Sequence, residues 1–180
     1  MKLSNVQLIR PRLELEQAFI AMLHEFRAAG DPWFDTEPHL KTGDFAAYVD
    51  YLHKGALGVD LPDGYVPWTA LWLLNTGTNE LLGVSSLRHR LTPSLEKLGG
   101  HIGYTIRPSQ RGNGFGTVIL ALTLPEAHAI GLSVVQVHCE SSNLASSHVI
   151  ERNGGQLRER ADVNGMTIAR YIIHLAPEPA

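Results

Sequence analysis

The stretch that most constrains how this chain can fold is His101 to Ile130, HIGYTIRPSQRGNGFGTVILALTLPEAHAI. A short apolar run breaks at Pro108, passes through Arg111-Gly112-Asn113-Gly114-Phe115-Gly116, and enters an apolar repeat of helical spacing. The first backbone N–H groups of a helix have no intrahelical acceptor, and the helix dipole makes that end electropositive. A glycine-rich turn that opens a helix is therefore built to hold an anion, usually a phosphate. Gly112, Gly114 and Gly116 each cost conformational entropy and helix stability unless unusual dihedrals or close backbone approach require them.

Spacing decides which phosphate. A dinucleotide-binding turn reads G-x-G-x-x-G, and three residues after Gly114 stands Thr117. Such a turn also closes the first strand of its fold, whereas this one lies past mid-chain. A triphosphate loop reads G-x-x-x-x-G-K-[ST], and the turn contains no Gly-Lys pair. Both readings fail.

Around this stretch the chain alternates strand and helix signals. Val6 to Arg10 alternates and stops at Pro11, as a first strand does. Leu13 to Ala29 has helical apolar spacing and ends at Gly30. A loop carrying Trp33 and Phe34 between Pro32 and Pro38 is a candidate lid or pocket wall. Thr42-Gly43-Asp44 can cap a second helix that runs to about Lys54. Tyr65 to Leu74 and Leu81 to Leu91 read as a hairpin, and Thr92 to Gly100 as a polar, flexible connection. The helix after the glycine turn is expected over Thr117 to Ile130, with Val118, Ile119, Leu122 and Ala129 buried and a kink at Pro125. Val134 to Cys139 reads as a buried strand parallel to the one ending near Ile106. Asn143 to Asn153 is a short helix, and Gln156 to Arg160 pairs with Met166 to Leu175 around Asn164-Gly165. The order is β-α-α-β-β-β-α-β-α-β-β, with one domain over 1–176 and a disordered tail over 177–180.

Composition narrows the function. No window approaches the ~20 consecutive apolar residues of a membrane helix, and the start lacks the apolar core of a secretory signal. The single cysteine, Cys139, fits a reducing compartment, so the expectation is a cytoplasmic protein that does not associate with membranes. A net charge of −3 without a basic run argues against nucleic-acid binding. The nine histidines are scattered and show no ligand spacing, so no metal is expected.

What the turn does match is R-x-x-G-x-G at Arg111, Gly114 and Gly116, preceded by Gly103-Tyr104-Thr105-Ile106 and Pro108. Here the chain resembles the GCN5-related N-acetyltransferase (GNAT) superfamily, whose signature turn cradles the pyrophosphate of acetyl-coenzyme A. Downstream, Asn143-Leu144-Ala145-Ser146 is similar to the Asn-x-x-[Ala/Ser] helix that contacts the pantetheine arm in that family. The run Arg88-His89-Arg90-Leu91 with Gly99 to Tyr104 resembles a bacterial subgroup whose acceptor is poorly defined. The resemblance implies an α/β (α+β) fold: a central mixed, mostly antiparallel sheet of six to seven strands with a splayed parallel pair, flanked by about four helices. It implies direct acetyl transfer from acetyl-CoA, without a metal, to a primary amine of a small molecule or peptide, by a monomer or homodimer. A GNAT-fold acyl-CoA-binding or sensor module with weak catalysis is the alternative.

The same resemblance assigns residues. Main-chain groups of Tyr104, Thr105 and Ile106 would pair with pantetheine, and N–H groups of Arg111, Gly112, Asn113, Gly114, Phe115, Gly116 and Thr117 would take the pyrophosphate. Asn143 and Ser146 would contact the arm. Many relatives place a tyrosine acid seven residues after the helix asparagine, where this chain has Ile150; Ser146, Ser147 or water would substitute. His101 is the expected base, because related enzymes often carry a glutamate there and an imidazole titrates near neutrality. His89 is the second candidate, and Trp33, Phe34, Arg88 and His101 would line the acceptor site. His138 and Glu140 end the splayed strand and read more readily as structural.

Overall fold

The computed structural model describes residues 5–34 and 37–175. Strand β1 (Val6–Ile9) leads through a 3₁₀ turn at Leu13–Leu15 into helix α1 (Glu16–Ala28). The aromatic loop holds a second 3₁₀ turn (Pro32–Phe34) and a short helix α2 (Pro38–Thr42), and Asp44 caps α3 (Phe45–Leu57) by accepting from the Ala47 N–H at 2.9 Å. Strands β2 (Trp68–Asn75) and β3 (Glu80–Arg88) form the expected hairpin, but residues 65–67 and 89–91 fall outside it. The connection expected to be irregular contains helix α4 (Pro93–Lys97), capped by Thr92 and opened by Pro93. Then come β4 (Ile102–Ile106), α5 (Phe115–Ala129), β5 (Val134–Glu140), α6 (Leu144–Arg152), β6 (Gln156–Val163) and β7 (Met166–His174). The tail expected to be disordered, 177–180, lies outside the described residues.

The seven strands form one sheet in the order β1-β2-β3-β4-β5-β7-β6. Every neighbouring pair is antiparallel except β4 and β5, which run parallel. Period-two alternation sends one set of side chains to each face. Ala70, Trp72 and Val84 pack with α1 and α3 around Phe19, Phe26 and Tyr48. On the opposite face, Leu73, Leu82 and Ile106 meet Phe115 and Ile119 of α5, while Val135 and Val137 meet Leu120 and Ile150.

Helix α5 begins two residues earlier than expected, at Phe115, and runs through Pro125. Its buried side is Phe115, Ile119, Leu120, Thr123 and Ala127. Leu122 and Ala129, expected to be buried, are exposed. The helix is almost uniformly apolar, so the i,i+4 row from Phe115 faces the sheet and its other apolar residues do not.

Candidate active site

Parallel strands β4 and β5 are pinned at one end and open at the other. Ile102 opposite Val137 is their one paired position among the described residues. The His101 N–H donates to the Gln136 carbonyl at 2.7 Å, and Gly100 bridges to Val137. Gly100 has φ +67°, and a Cβ there would sit 2.5 Å from the Gln136 carbonyl oxygen, so only glycine permits this approach. Beyond Ile102, β4 stays paired with β3 up to Ile106, while its other edge faces a slot rather than β5. Tyr104, Thr105 and Ile106 therefore present main-chain groups to that slot. The Ile106 carbonyl is already taken by Arg111 Nε at 3.0 Å.

The glycine turn closes the open end. Gly112 and Gly114 have φ +80° and +83°, and a Cβ on either would meet nothing within 4 Å. Among the described residues, the N–H groups of Gly112, Asn113, Gly114, Phe115 and Gly116 find no acceptor. Those of Arg111 and Thr117 do, on Pro108 and Gly114, which narrows the expected anion-binding set by one residue at each end. Gly116 differs from its neighbours, since a Cβ there would lie 3.0 Å from Val149 Cγ2 on α6. It is a packing glycine, whereas the other two give the turn its shape.

The side chain of Arg111 is also committed, to Asp31 and over the Phe26 ring at 5.7 Å. On the same side, Glu25 accepts from Arg107 Nε at 2.8 Å and from the Ser109 N–H at 3.1 Å. Arg107 is the main cause of its pKa falling to about 2. Two carboxylates at the end of α1 thus hold the turn in place. Five unpaired N–H groups at the start of an apolar helix, beside an open strand edge, fit an extended ligand with a phosphate end.

The candidate catalytic residues are spread over three places. Ser146 sits across the slot from Tyr104, whose hydroxyl lies 3.5 Å from its Oγ; burial raises the Tyr104 pKa to about 12. Asn143 caps α6 by accepting from the Ser146 N–H at 3.0 Å, so its Oδ1 is occupied. Ile150 is fully buried in the core against α5, so its position does not open on the slot. His89 bonds Thr69 at 2.8 Å, and burial together with Arg10 lowers its pKa; neither contact belongs to the slot.

His101 stands at the pinned end, where its Nδ1 accepts from the Gln136 N–H at 3.0 Å. The lone pair a base needs is engaged, the neutral ring carries its proton on Nε2, and burial lowers its pKa. The geometry gives His101 the role of a strut between β4 and β5. Its neighbour His138 has the opposite arrangement. His138 Nε2 faces Gln136 Oε1 at 3.3 Å, an oxygen that only accepts, so Nε2 carries the proton. Nδ1 is left buried without a partner. Burial, then Arg170, His101 and Arg88, lowers its pKa to about 4.

Beside β4, on the α1 and α3 face, lies a cavity of about 910 Å³. Trp33, Phe34, Arg88 and Gly103 line it, as expected for the first three; His101 does not. The Trp33 ring packs over Gly103, with Cη2 3.4 Å from where a Cβ would be. Phe34 belongs chiefly to the core, edge-on to Phe19 and Phe26. Tyr48 and Tyr51 of the second helix also line the cavity, as do Glu37 and Trp68, which sequence reasoning passed over. Glu37 stood in the aromatic loop and gave no periodic signal.

A parallel pair splayed inside an otherwise antiparallel sheet, with a phosphate-binding turn at its mouth and a cavity at its side, defines a coenzyme-dependent acyltransferase architecture. A family model described as acetyltransferase (GNAT) domain matches residues 11–156, and the chain belongs to that family. Its co-substrate is acetyl-CoA. No curated protein matches the chain in sequence. Among solved structures, it is similar to the Salmonella typhimurium acetyltransferase that modifies the N-terminal serine of ribosomal protein L7/L12: 18% identity, TM-score 0.65, 96% of each chain. It is similar also to the ribosomal-protein-S5-alanine acetyltransferase of Vibrio fischeri (15%, 0.69, 97% of this chain and 96% of that one). A third is yncA of Salmonella typhimurium, solved with acetyl-CoA (16%, 0.62, 98% of each). Among the described residues no group of His, Cys, Asp and Glu can hold a metal, and no helix is long and apolar enough to cross a membrane.

Proposed function

We propose that this chain transfers an acetyl group from acetyl-CoA to a primary amine that enters through the cavity beside β4. The observation that carries this reading is the slot with its row of unpaired N–H groups from Gly112 to Gly116. Those N–H groups would hold the pyrophosphate, the open edge of β4 from Tyr104 to Ile106 would pair with the pantetheine arm, and Asn143 Nδ2 would reach it from α6. Bound acetyl-CoA supplies a thioester carbonyl for the amine to attack.

The remaining work falls to side chains at the two ends of the slot. His138 Nδ1 is the best-placed base, because its lone pair is bare and Gln136 fixes its tautomer. His101 then acts as a positioning residue, holding the Gln136 backbone beside it. Ser146 and the Tyr104 hydroxyl would protonate the departing thiolate from the α6 side. The sensor alternative rests on Ile150 standing where relatives carry a tyrosine acid, and thiol release above background with any amine would remove it.

Titration with acetyl-CoA tests the cofactor half, since a ligand selective for the folded state raises Tm. Thiol release with a panel of amines tests the transfer. Absence of any Tm shift at millimolar acetyl-CoA would overturn the reading.

A further inference from the structure

The cavity wall carries two ionisable groups of opposite sign that form no salt bridge among the described residues. Arg88, at the end of β3, is half-buried and lies opposite Trp68 in the β2–β3 register. One of its five donors is accounted for, by Nη1 to the Gly100 carbonyl at 3.0 Å, and among the described residues no carboxylate pairs with it. Burial lowers its pKa. A guanidinium out of water without a counter-charge is costly, and a pocket is where a ligand anion offsets that cost. The phosphates of acetyl-CoA are badly placed to do so. The N–H of Arg88 bonds the His101 carbonyl at the start of β4, and five residues at about 3.3 Å each separate that end from the glycine turn.

Glu37 carries the opposite charge on the same cavity. Its Oε2 is buried without a hydrogen-bond partner, and burial raises its pKa. Around it stand the Tyr48 and Tyr51 rings, with His39 against Tyr51 at 4.7 Å. The other cavity carboxylates are satisfied, because Asp50 and Asp60 share Lys54 at 2.9 and 3.7 Å. A buried carboxylate among aromatic rings is a site for an organic cation.

We infer that the acceptor is a free amino acid with a cationic side chain, its α-carboxylate on Arg88 and its side-chain cation on Glu37. This inference rests on the acetyl-transfer reading and names its substrate class. Arg88 lies next to His138 and Gly100, so a carboxylate seated there brings the neighbouring α-amine to the pinned end of the slot. The nitrogen–acyl bond forms as the thioester carbon–sulfur bond breaks. Sulfur takes the electron pair and is protonated from the Tyr104 and Ser146 side, and the amine's proton passes to His138. A peptide N-terminus lacks the adjacent carboxylate, and a diamine lacks it altogether.

The test compares lysine, ornithine and arginine with their methyl esters, with the decarboxylated diamines and with norleucine. Thiol release gives kcat/KM, and Tm shifts in the presence of CoA give binding without turnover. Free basic amino acids should exceed their esters and diamines by roughly 100-fold, the scale for a charged hydrogen-bonded group left unpaired in a buried site. Arg88→Met should abolish that preference, and Glu37→Gln should erase the advantage of lysine over norleucine. Equal use of acid and ester by the wild-type protein overturns the inference while leaving acetyl transfer intact. If no amine is acetylated yet lysine raises Tm and its ester does not, the pocket reading stands and the transfer reading fails. Preference for a diamine, or for a peptide amine, sinks the inference outright.

Discussion

Replacing Gly112 or Gly114 by alanine separates a ligand-holding turn from a merely structural one. Both have φ near +80°, and a Cβ on either meets nothing within 4 Å, so the folded chain pays only for the dihedral. That cost is about 1–2 kcal/mol for an L-residue. At roughly 2–4 °C per kcal/mol for a chain of this size, Tm should fall by about 2–8 °C. Binding should suffer more. The new methyl occupies the space where the anion approaches, and each lost N–H bond to a charged acceptor is worth about 1.5–3 kcal/mol. The Kd for acetyl-CoA, measured by calorimetry, should rise roughly 10- to 150-fold. Gly116→Ala is the internal control. Its Cβ would press on Val149 at 3.0 Å, so overpacking should lower Tm with a smaller change in Kd. If both turn variants keep folded Tm values and bind acetyl-CoA within about twofold of wild type, the N–H row does not hold the phosphate.

The hydroxyl pair on the other side of the slot should matter for rate rather than for binding. Tyr104→Phe and Ser146→Ala are expected to lower kcat by up to about 100-fold, the low end for a general acid because a thiolate leaves readily. Their acetyl-CoA Kd should stay near wild type, and a rise in Kd with unchanged kcat would make the pair a binding element instead. Gly100→Ala should be the most damaging of the glycine changes. Its Cβ meets backbone at 2.5 Å under a positive φ, so the pinned end must open and the two His101–Gln136 bonds must break. A large Tm loss is expected by thermal unfolding, and a variant as stable as wild type would show that the strands are not pinned there.

The sheet was readable because its signals are local. The alternation of Val6 to Arg10, the turn residues between β2 and β3, and Asn164-Gly165 each predict their element without reference to the rest. The glycine turn was readable for the same reason, since positive φ is written in the residue type. The buried face of α5 was not, because apolar residues lie on more than one side of the helix and only the packing of Phe115 selects the register. The histidine proposed as base was also out of reach. His101 accepts from the Gln136 backbone N–H through Nδ1, whereas His138 meets the Gln136 side-chain oxygen through Nε2, a distinction that only the tertiary arrangement of β4 and β5 reveals. Glu37 and Arg88 gain their meaning from being unpaired, and pairing is a tertiary property.

The same geometry would couple the proposed acceptor to the proposed base. His138 is faced by Arg170 from β7, His101 from β4, Arg88 from β3 and Glu159 from β6. Arg170 already bonds Glu159 at 2.7 Å, which leaves Arg88 as the uncompensated cation in the group. Burial, first, and then the neighbouring positive groups hold the imidazole at a pKa of about 4, far below its ordinary value, so its neutral form accepts a proton only weakly at neutral pH. An acceptor carboxylate seated on Arg88 cancels one of the charges that lower it. The His138 pKa must then be higher in the ternary complex than in the free enzyme, and the base strengthens as its substrate binds. Because kcat/KM reports the free enzyme and kcat the bound complex, the acidic limb of kcat should lie at higher pH than that of kcat/KM. With a carboxylate-free amine the two limbs should converge. Coincident limbs with a free amino acid, in an enzyme whose activity still depends on His138, would mean that Arg88 does not pass the acceptor's charge to the base.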